Sequence, residues 1–202
     1  MYLFTVTICL LAAYGVLMAL YTRGHWNLRA FVAKGKTPQT KFSIVIPARN
    51  EAANIEACIA GILAQNYPSH LFELIVIDDF SEDETANIVG SLALQHSNLR
   101  LLRLQDFTKD ENIIAYKKRA IEIAIEQANH PWIVTTDADC SFTKNWLAIY
   151  DAYIQEHNCV MVAAPVAYKN TGSFLSVFQV LDFISLQGIT AAAVGSGSHT
   201  LC

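Results

Sequence analysis

Apolar positions follow two different patterns along this chain. From Met1 to Tyr21 they run without a single charge, MYLFTVTICLLAAYGVLMALY. From Phe42 onward, short β-branched runs alternate with segments of helical period. The first pattern predicts a helix of about 30 Å, the thickness of a bilayer's hydrocarbon core. Tyr2, Tyr21 and Trp26 stand where interfacial aromatics belong. Arg23, His25, Arg29, Lys34 and Lys36 follow at once, while nothing charged precedes the run. That asymmetry places the rest of the chain on the cytoplasmic side of the cytoplasmic membrane. A cleaved signal would carry its charges before the run and a small-residue site after it, and neither is present. A buried core helix is the remaining alternative. Residues 22–41, polar, basic and broken by Gly24, Gly35 and Pro38, read as a connector.

The second pattern begins with Phe42–Pro47, a run suited to a strand buried on both faces. A helix capped by Asn50 is expected to about Gln65, with Ile55, Ile59, Ile62 and Leu63 on one face. Strands are then expected at Leu71–Ile77, Leu99–Leu104, Trp132–Thr136 and Val160–Ala164. Helices are expected from Ser81 to about Leu94, from about Asn112 to Asn129 and from about Lys144 to Glu156. A last helix-like stretch, Phe174–Ala193, would pack on the sheet or rest on a membrane surface. Strand-helix alternation predicts an α/β fold, a mostly parallel sheet with helices on both faces. Such sheets bind ligands beyond the carboxyl ends of their strands. Pro47–Glu51, Asp78-Asp79 and Asp137–Asp139 all fall there.

Composition supports the division. Hydrophobic residues make up 53% of the 202 and charged residues 16%, which is apolar for a soluble domain. The net charge of −4 and the lack of a basic stripe argue against nucleic acid as a partner. Cys9, Cys58, Cys140, Cys159 and Cys202 are scattered, with no CxxC spacing, so neither a disulfide framework nor a zinc site is expected.

Each loaded position has a plain reading beside a chemical one. Asp137 and Asp139 end a strand with one residue between them. They repel unless a cation such as Mg2+ or Mn2+ sits between them and a polyanion. Otherwise they are exposed loop acids. Asp78 and Asp79 suit a base or ribose contact, or a helix cap. Pro47, Ala48, Arg49, Asn50 and Glu51 make a turn whose backbone can meet a base or a phosphate. Lys117-Lys118-Arg119 can reach a diphosphate or form a solvated helix face.

The order of these segments is informative: SIVIPARNE, VIDDFSEDET, KKRAIEIA, TTDADCSF. Together they resemble the family 2 glycosyltransferases, whose catalytic domain has the fold called GT-A. The resemblance covers Phe42 to Pro165 and continues more weakly to Cys202. With the transmembrane anchor read at 1–21 and the connector at 22–41, it implies an incomplete glycosyltransferase domain at 42–202. It implies that Pro47, Ala48, Arg49 and Glu51 bind the base and ribose of a nucleotide-sugar donor. Asp79 would recognise uracil with Asp78 beside it, and Lys117 would lie near the donor phosphates. Asp139 would be the direct metal ligand and Asp137 the contact to the sugar nucleotide, together the metal-binding pair. The family usually has glycine before the lysine; here Tyr116 stands there, and Lys118 is the alternative.

The resemblance also implies metal-dependent, inverting hexosyl transfer from a UDP-sugar to a glycan or lipid-linked acceptor near the membrane. The family's general base lies in an ED-like pair beyond the donor half. Val166–Cys202 holds no such pair and no QxxRW-like segment. No catalytic residue is therefore assigned, and an incomplete, weakly active domain is expected. The alternative is a donor-binding membrane module without catalysis. A sugar-nucleotide-forming nucleotidyltransferase would want a glycine-rich loop where PARNEAAN stands.

Overall fold

The structure, a computed structural model, describes residues 2–33, 35–108, 115–168 and 172–196. They divide into two compact units, one from Val32 to Val160 and one combining the two ends of the chain.

The larger unit is built on four strands: β1 (Phe42–Ala48), β2 (Phe72–Asp78), β3 (Leu99–Arg103) and β4 (Trp132–Thr135). All pairings are parallel and the order is β3-β2-β1-β4. The chain moves outward from β1 through β2 to β3, then crosses back to β4 on the other side of β1. Right-handed crossovers put the outward helices on one face and the returning helix on the other. Accordingly α2 (Ile55–Leu63), α3 (Thr85–Ala93) and α6 (Trp146–Glu156) cover the face bearing Phe42, Ile44 and Ile46. The short α4 (Leu104–Phe107) and α5 (Tyr116–Glu126) cover the face bearing Val45, Ile75 and Ile77. Ile44, Ile46, Ile59 and Ile62 are fully buried, and each contributes roughly 1.5–3 kcal/mol by leaving water.

Two buried acids anchor the end of the unit opposite the strands' carboxyl ends. Asp151 of α6 accepts hydrogen bonds from the Gln39 and Thr40 backbone N–H groups at 3.3 and 2.9 Å. It thereby holds the segment that enters β1. Burial would raise its carboxyl, but these donors and Gln155 hold it below its ordinary value. Glu73 of β2 accepts from the Ser43 hydroxyl at 2.6 Å and from the Asn129 backbone and side-chain N–H groups at 2.6 and 2.8 Å. Arg100 lies 3.1 Å away.

The smaller unit contains α1 (Tyr2–Asn27) and α7 (Phe174–Gly195). α1 runs past Tyr21, through Arg23, to Asn27. Gly24, expected in the connector, instead lies within the helix and lets two helices touch: a Cβ there would run into the Ala192 carbonyl oxygen. Both helices are long and apolar enough to cross a membrane. Large apolar side chains of α7, including Phe174, Leu175, Leu181, Ile184 and Leu186, are exposed.

Several expected elements differ. Val160–Ala164 forms no strand, and Val160 is 99% exposed. Asn50 does not cap α2. It adopts a left-handed conformation (φ 56°), and the helix starts five residues later. α3 starts at Thr85 rather than Ser81, because 81–84 form part of a loop lattice at the site. The expected start of α5 at Asn112 lies outside the described residues.

Candidate functional site

β1 and β2 pair along their full length, to Ala48 opposite Asp78. β4 pairs with β1 only as far as Val45 opposite Thr135. Beyond that level the two chains part, and a crevice opens at the point where the strand order reverses. Parallel sheets bind ligands at such switch points. The cavity there is about 350 Å3, within the range for small-molecule sites. Pro47, Ala48, Arg49, Glu51, Asp79, Lys117, Asp137, Ala138 and Asp139 line it. Thus β1's end, β2's end, the first turn of α5 and the loop after β4 bring the expected residues to one place. Asp78 is the exception. It is buried as the last residue of β2 and does not line the cavity.

The loop after β4 owes its form to Ala138. That residue is 2% exposed and belongs to the core, so both flanking acids are left in the open and facing the cavity. Cys58 of α2 supports the turn from below, its thiol 3.7 Å from the Asp137 carbonyl oxygen. Burial, with nearby Cys140 and Asp139, pushes that thiol up to about 12, so it stays protonated and able to donate. The Lys117 Nζ meets the Asp137 carboxylate at 2.7 Å.

The Oδ1 atom of Asp79, and that of Asp78 outside the cavity lining, are buried without a hydrogen-bond partner among the described residues. Burial pushes the Asp79 carboxyl up, against the pull of the Arg49 charge, and Asp78 pushes it further. Buried acceptors without donors are uncommon and expensive in native proteins.

Four hydrogen bonds that the sequence did not reveal lock the β1 and β2 loops together. The Asn50 backbone N–H donates to the Ser81 hydroxyl at 3.0 Å, and the Glu82 N–H donates to the Asn50 side-chain carbonyl at 2.8 Å. The Glu51 N–H donates to the Thr85 hydroxyl at 2.8 Å, and the Ala52 N–H to Asp83 at 3.1 Å. Thr85 donates in turn to Asp83 and, with the backbone donors, holds its carboxyl below the ordinary value. The run of Ser, Asp and Thr after Phe80 was the available sign, since these residues bond loop backbone readily.

The donor set suits a hard divalent ion. Glu51, Asp79, Asp137 and Asp139 outnumber Arg49 and Lys117 around the cavity, so a cation would favour the entry of any anion there. No group of three possible protein ligands occurs among the described residues. Two carboxylates, with phosphate oxygens and water completing the shell, are a usual arrangement for magnesium-like ions.

A doubly wound α/β domain with an acidic crevice at its switch point defines a nucleotide-binding class. The model of glycosyl transferase family 2 matches residues 43–185. The chain belongs to that family. It is 33% identical over 105 residues to glycosyltransferase AglE of Haloferax volcanii, covering 52% of this chain and 32% of that protein. It is 29% identical over 118 residues to the poly(ribitol-phosphate) β-N-acetylglucosaminyltransferase TarS of Staphylococcus aureus, covering 58% and 19%. The chain thus spans about a third or less of these two relatives. Among solved structures, the mannosyltransferase PcManGT of Pyrobaculum calidifontis, in complex with GDP-Man and Mn2+, superposes with a TM-score of 0.60. That match is 26% identical and covers 74% of this chain and 43% of that one. TarS 1–349 in complex with UDP-GlcNAc gives 0.51 at 25% identity, covering 63% and 38%. The parallel sheet with helices on both faces is the GT-A fold expected from the sequence.

Proposed function

We propose that this chain carries the donor half of a metal-dependent, inverting hexosyltransferase that uses a UDP-sugar and serves a glycan or lipid-linked acceptor near a membrane. The observation that carries the reading is the crevice itself. Asp79, with a buried oxygen lacking a donor, and the exposed acids Asp137 and Asp139 line one cavity together with Arg49 and Lys117, which supports a nucleoside diphosphate as its ligand.

Asp79 receives the base. It offers one buried, unpartnered oxygen, which matches the single N–H on uracil's pairing edge. Guanine presents two donors there, which the two oxygens of a carboxylate can also accept, so the GDP titration is the arm that separates the bases. Pro47, Ala48, Arg49 and Glu51 line the base and ribose side, held by the four cross-loop hydrogen bonds. Asp78 stands behind Asp79 and raises its carboxyl. Lys117 serves the diphosphate and leaves Asp137 when the ligand enters. Asp139, with Asp137, would hold Mg2+ or Mn2+. When bound, that ion neutralises charge developing on the leaving nucleoside diphosphate. The helix Tyr2–Asn27 would anchor the chain in the cytoplasmic membrane with the 42–202 portion on the cytoplasmic side.

The test is calorimetric titration of UDP and of GDP into the full chain in detergent, with and without Mn2+, beside Asp139→Ala. The expected result is UDP binding that needs Mn2+ and weakens by roughly a hundredfold in the variant. Tighter binding of GDP would overturn the uridine assignment. Binding indifferent to both metal and variant would overturn the site.

A further inference from the structure

Phe80 is a bulky residue in the left-handed region, at φ 53°. Glycine would adopt that conformation without strain, whereas a side chain adopts it only when something else holds it there. It directly follows Asp79 and leads into the hydrogen-bonded loop lattice at Ser81. Its ring meets the Tyr116 ring edge-on, with centroids 5.8 Å apart and planes at 87°. Tyr116 opens α5, and the next residue is Lys117.

That helix start is poorly supported by its own sequence. Ala115 provides no side-chain cap, and no acid lies in the first turn. Lys117, Lys118 and Arg119 instead put positive charge at the positive end of the helix dipole. An uncapped start carrying like charge frays unless something outside the helix holds it. The Phe80–Tyr116 contact supplies that hold beside the Lys117–Asp137 pair of the same turn. It links the loop carrying Asp79 to the turn carrying Lys117, and both Asp79 and Lys117 line the cavity.

We propose that the Phe80–Tyr116 ring contact is a latch that fixes the first turn of α5 and so sets the reach of Lys117 into the crevice. Phe80 and Tyr116 are then positioning residues for the diphosphate end of the ligand. The inference rests on the reading of the cavity as a nucleoside diphosphate site. It predicts that strain at Phe80 is kept for the sake of binding.

The experiment compares the full chain with Phe80→Gly, Phe80→Tyr, Tyr116→Ala and the double variant Phe80→Gly with Tyr116→Ala. UDP and uridine affinities, melting temperature and hydrogen exchange over residues 116–121 are measured. Phe80→Gly should melt no lower than the parent, because the strain is gone. It should bind UDP roughly fourfold more weakly, no more than loss of Lys117 itself would cause, while uridine affinity is unchanged. Phe80→Tyr should restore UDP binding, the double variant should be no worse than either single one, and exchange over 116–121 should quicken with Phe80→Gly. Equal losses for UDP and uridine, or no loss for either, would overturn the latch. Should the parent bind no UDP, the nucleotide reading falls by itself. Unchanged exchange in Phe80→Gly would then still overturn the latch.

Discussion

Glu73, near the start of β2, and Asp79, one residue past its end, are buried to the same degree, at 7% and 6% exposure. Their surroundings differ. Both Glu73 oxygens accept hydrogen bonds, and Arg100 stands beside them. Burial works to raise its carboxyl, yet Ser43, Asn129 and Arg100 outweigh that, and it sits below its ordinary value. Asp79 has a buried oxygen with no donor, and burial with its neighbour Asp78 drives its carboxyl up. A strand that can satisfy an acid at one end and leaves another unsatisfied at the other is separating two tasks. The first acid joins β1, β2, β3 and the turn into β4. The second lines the cavity.

Removing Glu73 should produce the largest effect. Glu73→Ala leaves a buried hydroxyl, two N–H groups and a guanidinium without their acceptor. It should cost about 3 kcal/mol of stability, read as a lower urea midpoint. Nucleotide affinity, measured well below the transition, should be unchanged. The acid limb gives the sign. A carboxyl held below its unfolded value stabilises the fold above that value, and the benefit fades as pH falls through the folded one. Glu73→Gln should therefore flatten the loss of stability in acid. An unaltered acid limb would show that the network contributes nothing through charge.

Asp79→Asn should move stability and binding in opposite directions. A carboxyl raised on folding is neutral in both states at low pH and carries its full penalty above its folded value. The neutral amide should therefore gain about 1 kcal/mol near neutral pH and nothing in strong acid. UDP affinity should fall roughly tenfold, since the amide presents a different pattern to the base. A stability loss at neutral pH would mean that Asp79 is satisfied in solution, and the contrast with Glu73 would disappear.

The same contrast shows what the sequence makes legible. Strands β1 and β2 could be read because burial on both faces demands unbroken runs such as FSIVIP and LIVI. The site could be placed because parallel strands end where ligands bind, and the acids stood at those ends. What escaped was set by contacts across the fold. Asn50 looks like a helix cap, but Ser81 and Glu82, from the next loop, hold it left-handed. Gly24 looks like part of a connector until α1 runs through it and Ala192 is set against it. The run Val160–Ala164 has strand composition, yet it forms no strand and Val160 is 99% exposed. For Asn50 and Gly24, a local preference is overridden by a distant partner.

Lys117→Met is the smallest perturbation and the sharpest in kind. The Lys117–Asp137 pair is short, 2.7 Å, but both side chains are mostly exposed, at 64% and 60%. Water screens such a pair, so its loss should change stability by less than about 1 kcal/mol. The first turn of α5 should even gain slightly, because one cation leaves the positive end of the helix dipole. Binding should respond differently. With the lysine gone, Asp137 loses its partner cation, and the crevice's acids outnumber its bases further. UDP affinity should fall several-fold, roughly 1 kcal/mol, and the fall should be greatest without Mn2+, when no other cation offsets the carboxylates. Raised salt should shrink the difference between parent and variant, as it does for exposed charges. If instead the variant loses stability and binding together, Lys117 belongs with Glu73 among the residues that hold the fold, and the division between the two ends of β2 does not extend to α5.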